Sequence, residues 1–266
     1  MRADVIQMVE RLLASLDLRA KVRLLTGASF WTTNADERIG LRSMVFSDGP
    51  AGVRGPRWDE RDRAANLPSP TALAATWNDR LVTRLGELLA AEARRKQVNV
   101  LLAPTVNLHR SPLGGRHFEC LSEDPLLSGR IGAAYVRGLQ DHGVAATAKH
   151  YVANDSETNR FTVNVRVDER TLHEVYLAPF EQLVTDGGVW LVMAAYNSVN
   201  GTTMTENPLL MDPLKTDGPA QDRLGVRWRG RVRLVGGPLH GTSRSGGAGS
   251  CDAGTGRPTM VPPLAW

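Results

Sequence analysis

Apolar positions in residues 4–25 recur with a helical period: Val5, Met8, Val9, Leu12, Leu13 and Leu16 fall on one face. Short apolar segments then alternate with longer helical ones. Ser43–Phe46 predicts a strand running into Ser47-Asp48-Gly49-Pro50, and residues 78–96 predict a helix. Val98–Ala103 predicts a buried strand stopped by Pro104, and residues 126–141 a second long helix. Val144–Ala148 predicts a strand leading into Lys149-His150. Residues 168–186 predict a helix capped by Asp168, followed by a strand at Val189–Ala195 that leads into Tyr196-Asn197. Strands apolar on both faces, alternating with helices, predict a parallel α/β architecture. In such folds, sites are built from polar residues at the C-terminal ends of strands.

The pattern stops after Met211. Residues 213–266 contain 11 Gly and 6 Pro, carry no acidic residue from Arg223 to Cys251, and follow no helical or strand period. They predict a disordered Gly/Arg/Pro-rich tail, so the chain divides at 1–212 and 213–266. Charge sharpens this division. The formal balance is +4, but residues 213–266 hold 8 basic and 3 acidic residues, against 24 and 25 in residues 1–212. The basic excess therefore belongs to the tail. The tail lacks the aromatic–basic interleaving of a nucleic-acid surface, so no nucleic-acid partner is expected. A nucleic-acid binder acting through the tail is the weakest competing reading; it would require salt-dependent binding that deletion of 213–266 removes.

At 42% hydrophobic residues, the chain has material for a core. Two cysteines, Cys120 and Cys251, make no disulfide framework. The first 25 residues carry charges throughout rather than the apolar stretch of a signal peptide, and no apolar run approaches the ~18 residues of a membrane span. The expectation is a cytoplasmic protein with no membrane partner. Oligomeric state stays open.

Each chemical motif has a bland reading beside it. Asp48, after a strand, suits two hydrogen bonds from a polyol, or is an ordinary Asp-Gly turn. In Gly114-Gly115-Arg116-His117-Phe118-Glu119-Cys120-Leu121-Ser122-Glu123-Asp124-Pro125, Arg116 reaches into a pocket, or the loop only pairs its own charges while Ser122 or Asp124 caps the next helix. Lys149 and His150 have no obvious core role; they either build a site or form a solvated strand end. As adjacent strand residues they point opposite ways unless the strand bends or bulges. Met193 and Tyr196 either wall a ring-shaped ligand or fill core. His109 and His117 have no third metal ligand at useful spacing, so no metal is expected. There is no phosphate loop, GxGxxG or GxSxG.

Taken together and in order, these pieces resemble glycoside hydrolase family 3, the β-glucosidase-type enzymes. The matching stretches are LTGASFWTT (25–33), FSDGPAGVRG (46–55), APTVNLHRSPLGGRHFECLSEDP (103–125), ATAKHYVANDSETNR (146–160), VDERTLHEVYLAPFE (167–181) and VMAAYNSVNGTTMTENPLL (192–210). The resemblance implies an incomplete (β/α)8 TIM-type barrel over 1–212, with no cofactor. It implies a retaining hydrolase of terminal β-linked glucosyl residues, whose partner is a small neutral saccharide or β-glucoside. It implies that Asp48, Arg54, Arg116, Lys149 and His150 bind sugar hydroxyls, with Arg160 a weaker candidate, and that Met193 and Tyr196 stand beside the nucleophile.

The sequence departs from the family at the catalytic groups. The nucleophile strand, reading like GFDGVVVSDW shortly after NPLL, is absent, and the acid/base Glu is expected far downstream. Glu119, Glu123 and Glu157 match other family positions. No catalytic residue is therefore assigned, and the chain as given is expected to be inactive; a non-catalytic sugar-binding remnant is the alternative. Leu224–Val235, written in allowed codons with third bases chosen, reads WGFDGVVVSDW one nucleotide later, with the Asp spanning the codons of Arg233 and Leu234. A frameshift between about residues 212 and 224 is the expectation, and sequencing the gene tests it.

Overall fold

The structure, a computed structural model, describes residues 3–57, 59, 61–210, 214 and 233–235. Five strands run in the order β1 (Phe46–Asp48), β2 (Val100–Leu102), β3 (Ala145–Tyr151), β5 (Leu191–Ala194) and β8 (Arg233–Val235), every neighbouring pair parallel. Strands laid side by side in chain order, with helices between them, form the arc of a (β/α)8-type barrel, as expected. All seven residues of β3 are buried, as in a strand covered on both faces.

The connecting helices are α3 (Pro70–Ala75), α4 (Asp79–Arg95), α5 (Pro125–Gln140), α6 (Glu169–Thr171) and α7 (Ala178–Thr185). Their starts are set by side-chain caps. Asn78 accepts the Leu81 N–H (3.1 Å), Asp124 that of Leu127 (2.9 Å) and Asp168 that of Thr171 (2.9 Å). The cap of α5 is thus Asp124. The helix expected over 168–186 is not continuous: a π-helical turn at Leu172–Leu177 separates α6 from α7. Pro179 has no N–H to donate into the preceding turn, so the ladder is interrupted there.

The helix expected over 4–25 is also two, α1 (Ala3–Ala14) and α2 (Leu18–Leu24), because Asp17 caps a new start by accepting the Ala20 N–H at 2.7 Å. Its apolar stripe is only partly covered: Leu16 is buried, while Met8, Val9 and Leu13 are exposed. The strand expected at 43–46 lies later, at Phe46–Asp48, which carries Asp48 into the sheet opposite Leu102. A side sheet of β4 (Asn164–Val165), β6 (Ser198–Val199) and β7 (Thr202–Thr203) had no counterpart in the sequence expectations. Its β6–β7 hairpin turns at Asn200 and Gly201, both at positive φ.

The tail is corrected at one place. Arg233–Val235 pairs with Leu191–Met193 as the fifth strand of the sheet, where a disordered segment was expected. Apart from Leu214, the rest of 213–266 lies outside the described residues.

Helix α4 packs on α5 where two glycines meet. A Cβ at Gly138 would lie 2.2 Å from the Thr83 carbonyl oxygen and 2.8 Å from Gly86 Cα. In an open helix, alanine would gain about 1 kcal/mol over glycine. Here the overlap is with backbone, so Gly138→Ala is expected to lose about 1–3 kcal/mol in urea unfolding. A gain in stability would contradict this packing.

Candidate functional site

Polar residues at the ends of β1, β2 and β3 meet in one cluster. The register of β3 on β5 shifts between Ala148 and Tyr151, and this bulge removes the alternation that would have sent Lys149 and His150 to opposite faces. Lys149 Nζ donates to Asp48 Oδ1 at 2.8 Å and lies 3.6 Å from Glu119 Oε2. Glu119 Oε1 accepts Arg116 Nε–H, and Thr105 Oγ1–H donates to Oε2 at 3.1 Å. Arg116 Nη1 lies 3.6 Å from Glu157, whose other oxygen pairs with Arg160 Nη1 at 2.7 Å. The result is a ladder of alternating charge: Asp48, Lys149, Glu119, Arg116, Glu157, Arg160. Three carboxylates balance three cations. Its Lys149–Glu119 rung is buried, with side chains 3% exposed each, and it opens toward solvent at Glu157–Arg160, 23% each.

Burial pushes the Asp48 carboxyl up, but the adjacent Lys149 charge and hydrogen bond, the Gly49 N–H and the charge of Arg54 outweigh it and hold the group below its ordinary 3.8. Asp48 is therefore an ionised, acceptor-only group. Its loop is tightly turned: Gly49 sits at φ +133°, and a Cβ there would meet the Gly52 carbonyl oxygen at 1.8 Å. The Arg54 N–H donates to the Asp48 carbonyl at 3.1 Å, and Tyr135 Oη–H to that of Pro50 at 2.9 Å.

His150 is bracketed by Asn107, whose Nδ2 donates to the His150 carbonyl (2.9 Å). Asn107 Oδ1 accepts the His150 backbone N–H (2.9 Å) and lies 3.0 Å from Nδ1. An amide oxygen only accepts, so Nδ1 carries the ring proton and Nε2 is the bare nitrogen, 3.4 Å from Arg116 Nη2. Burial first, then the charges of Arg116, Lys149 and Arg160, press its pKa well below 6.5. The unfolded chain takes up this proton below 6.5 and the folded chain does not. The stability gained from a neutral His150 is therefore complete above 6.5 and is lost as pH falls below it. Melting temperatures are expected to drop as the pH falls below 6.5, and His150→Gln is expected to flatten that slope. An unchanged slope in the variant would assign the effect elsewhere.

Tyr196 stands at the mouth of the cluster. Its ring lies 4.8 Å from that of Phe161, and the Arg160 guanidinium sits 5.3 Å above it. Burial raises the Tyr196 hydroxyl, and the charges of Arg160, Arg116, Lys149 and Asp48 all reach it. Met193 is buried on β5, one residue before Ala194, which pairs with Tyr151. Asp48, Arg116, Lys149, His150 and Arg160 are thus linked directly, and Arg54 and Tyr196 electrostatically. Sequence reasoning missed Asn107, Thr105 and Asn154 and gave Glu119 and Glu157 no role. Asn154 Nδ2 donates to Glu157 Oε1 at 3.2 Å. An open hollow of about 570 Å³ lined by Asn164, Arg166, Val167, Asp168, Asn200 and Gly201 lies along the side sheet and includes none of the ladder residues.

One expectation about metal ligands is corrected. The loop after β2 brings Cys120 beside His109 and His117, their ligand atoms within 4.8 Å of one another, because the 3₁₀ turn at His117–Glu119 folds Cys120 back. Burial and the charge of Glu119 push the Cys120 thiol up to about 12. Among the described residues, no helix is long and apolar enough to cross a membrane.

The family model of the glycosyl hydrolase family 3 N-terminal domain matches residues 13–218. A β-glucosidase of Rhizobium radiobacter is 49% identical over 205 residues, 77% of this chain and 25% of the relative. Beta-glucosidase B of Emericella nidulans is 48% identical over 203 residues, 76% of this chain and 24% of the relative. The chain spans about a quarter of the length of these relatives. Beta-glucosidase 3B of Thermotoga neapolitana, solved with α-D-glucose, superposes with a TM-score of 0.74 at 38% identity, covering 85% of this chain and 33% of that one. The Kluyveromyces marxianus β-glucosidase, solved with glucose, gives 0.78 at 40% identity, covering 85% and 26%.

Proposed function

The chain belongs to glycosyl hydrolase family 3, matching its N-terminal domain, and from that premise we propose that the ladder cluster holds the terminal glucosyl unit of a β-glucoside. The observation that carries this reading is the buried Asp48–Lys149–Glu119–Arg116 ladder with His150 beside it, at the C-terminal ends of adjacent parallel strands. A neutral sugar offers donors and acceptors without net charge. The ladder matches it with an acceptor-only carboxylate, ammonium and guanidinium donors, and a neutral imidazole, in a charge-balanced group. Asp48 accepts from sugar hydroxyls, Lys149 and Arg116 donate to them, and His150 Nε2 takes part as the bare nitrogen that Asn107 keeps in place. Arg54 supports the Asp48 loop. Tyr196 and Met193 wall the pocket.

The proposed activity of the whole protein is retaining hydrolysis of terminal β-linked glucosyl residues. That chemistry needs a nucleophilic Asp and an acid/base Glu, and residues 1–266 contain no segment reading like the family's nucleophile strand. We assign the chain as given sugar binding without turnover. The backbone register supports this. Met193, which the resemblance places beside the nucleophile, pairs with Val235, next to the codons where the shifted frame reads Asp.

Thermal unfolding with and without D-glucose tests the binding. At 100 times Kd, glucose is expected to stabilise the chain by about 2.7 kcal/mol. Asp48→Asn, which keeps the volume and loses the charge, is expected to remove most of that shift. No shift, or a shift that survives both Asp48→Asn and His150→Gln, would overturn the assignment.

A further inference from the structure

The loop leaving β2 gathers a second set of chemistry-bearing side chains that the sugar reading does not use. His109, His117 and Cys120 offer two imidazole nitrogens and a sulfur within 4.8 Å of one another. We propose that this cluster is a binding site for a single thiophilic divalent transition-metal ion of the zinc class. Two imidazoles and one thiolate select such an ion over Mg²⁺ or Ca²⁺, which take oxygen ligands.

Two features prepare the rings for a metal. His109 Nε2 lies 3.1 Å from the His117 carbonyl oxygen, and His117 Nε2 is hydrogen-bonded to that of Ser111. A carbonyl only accepts, so each ring donates Nε2–H and keeps Nδ1 bare. One nitrogen tied to a backbone carbonyl and the other left basic is how ligating imidazoles are held. Gly114 makes the seat for His117: a Cβ there would meet the ring at 2.3 Å (Cε1) and 2.5 Å (Nε2), so only glycine lets the ring lie where it does.

Metal bonds of about 2.0 Å to nitrogen and 2.3 Å to sulfur put tetrahedral ligand atoms about 3.5 Å apart, so the three need to close by roughly 1 Å. The Cys120 thiol, which donates to the Arg116 carbonyl at 3.4 Å, would yield its proton to solvent as the ion binds. Asp155 supplies a negative charge that both His117 and Cys120 feel, against the positive charges of Arg116 and Arg110. A three-ligand site leaves a fourth position for water. Because the same loop carries Arg116 and Glu119, a bound ion would clip the backbone that holds the ladder.

Cobalt is the probe, in the full chain carrying Cys251→Ser so that Cys120 is its only thiol. Without sugar present, Co²⁺ is expected to raise a thiolate-to-cobalt charge-transfer band that saturates at one ion per chain and is bleached by Zn²⁺. His109→Ala and His117→Ala are each expected to weaken binding at least about tenfold, and Cys120→Ser to abolish the band. Far-ultraviolet circular dichroism checks folding; if Cys120→Ser does not fold, the two histidine variants decide. No saturable band in the parent, or full affinity in both histidine variants, would overturn the proposal. Neither result bears on the glucose assignment, which is read without metal.

Discussion

Asp48→Ala is expected to cost about 3 kcal/mol of stability and to abolish glucose binding, while Asp48→Ala combined with Lys149→Met recovers stability but not binding. The reason lies in burial. The Lys149 side chain is 3% exposed, and its ammonium touches Asp48 at 2.8 Å and Glu119 at 3.6 Å. Removing one partner of a buried pair leaves a desolvated charge, a loss of about 3–5 kcal/mol. Glu119 remains as a second carboxylate, so the expected loss sits at the low end. Replacing both partners by apolar side chains removes the stranded charge and the desolvation cost together, which is why the double variant is the more stable. Urea unfolding of the two single variants and the double variant measures the coupling. A double variant no more stable than Asp48→Ala would contradict an energetically coupled pair. Binding follows a separate logic, since neither variant carries the acceptor that a sugar hydroxyl needs.

The second large effect concerns covalent chemistry. The chain as given is expected to release no detectable aglycone from an aryl β-glucoside and to take no label from 2-deoxy-2-fluoro-β-glucosyl fluoride. A chain in which Leu224–Val235 is replaced by WGFDGVVVSDW is expected to gain one fluoroglucosyl group by mass spectrometry. The step balances without an acid: the Asp carboxylate oxygen bonds to the anomeric carbon as the carbon–fluorine bond breaks and fluoride departs. Loss of a nucleophile costs about 10⁴–10⁶ in rate in enzymes whose residues act as a unit, so the contrast is close to all or none. Strand β8 already lies beside β5 with Val235 opposite Met193, so the replacement strand has a place in the sheet. Robust turnover by the original chain that survives Asp48→Ala and Arg116→Ala would sink the reading.

The alternation of strands and helices was legible because each period is local: α4 and α5 begin and end within one or two residues of the expected bounds. What escaped was set by single side chains or by very short elements. The break in residues 4–25 hangs on the cap at Asp17, and the break in 168–186 on Pro179. The β6–β7 strands are two residues long, too short for any period to show, although Asn200-Gly201 is a turn signal. At the site, Asp48, Lys149 and His150 stood out as polar residues at strand ends, and Arg116 as the cation of a glycine-led loop. Their partners did not. Lys149 finds Asp48 across 101 positions and His150 finds Asn107 across 43, and no local pattern encodes such pairings. Cys120 joined His109 and His117 only because a 3₁₀ turn reverses the loop.

Hydrogen–deuterium exchange of the full chain, with and without saturating D-glucose, tests the sugar site most directly, because it locates bound ligand on the backbone. Slowed exchange is expected in peptides covering 48–54, 107–120 and 147–160, the three segments that build the ladder. Protection confined to 164–168 and 200–201, the segments of the open hollow on the side sheet, or no protection anywhere, would contradict it.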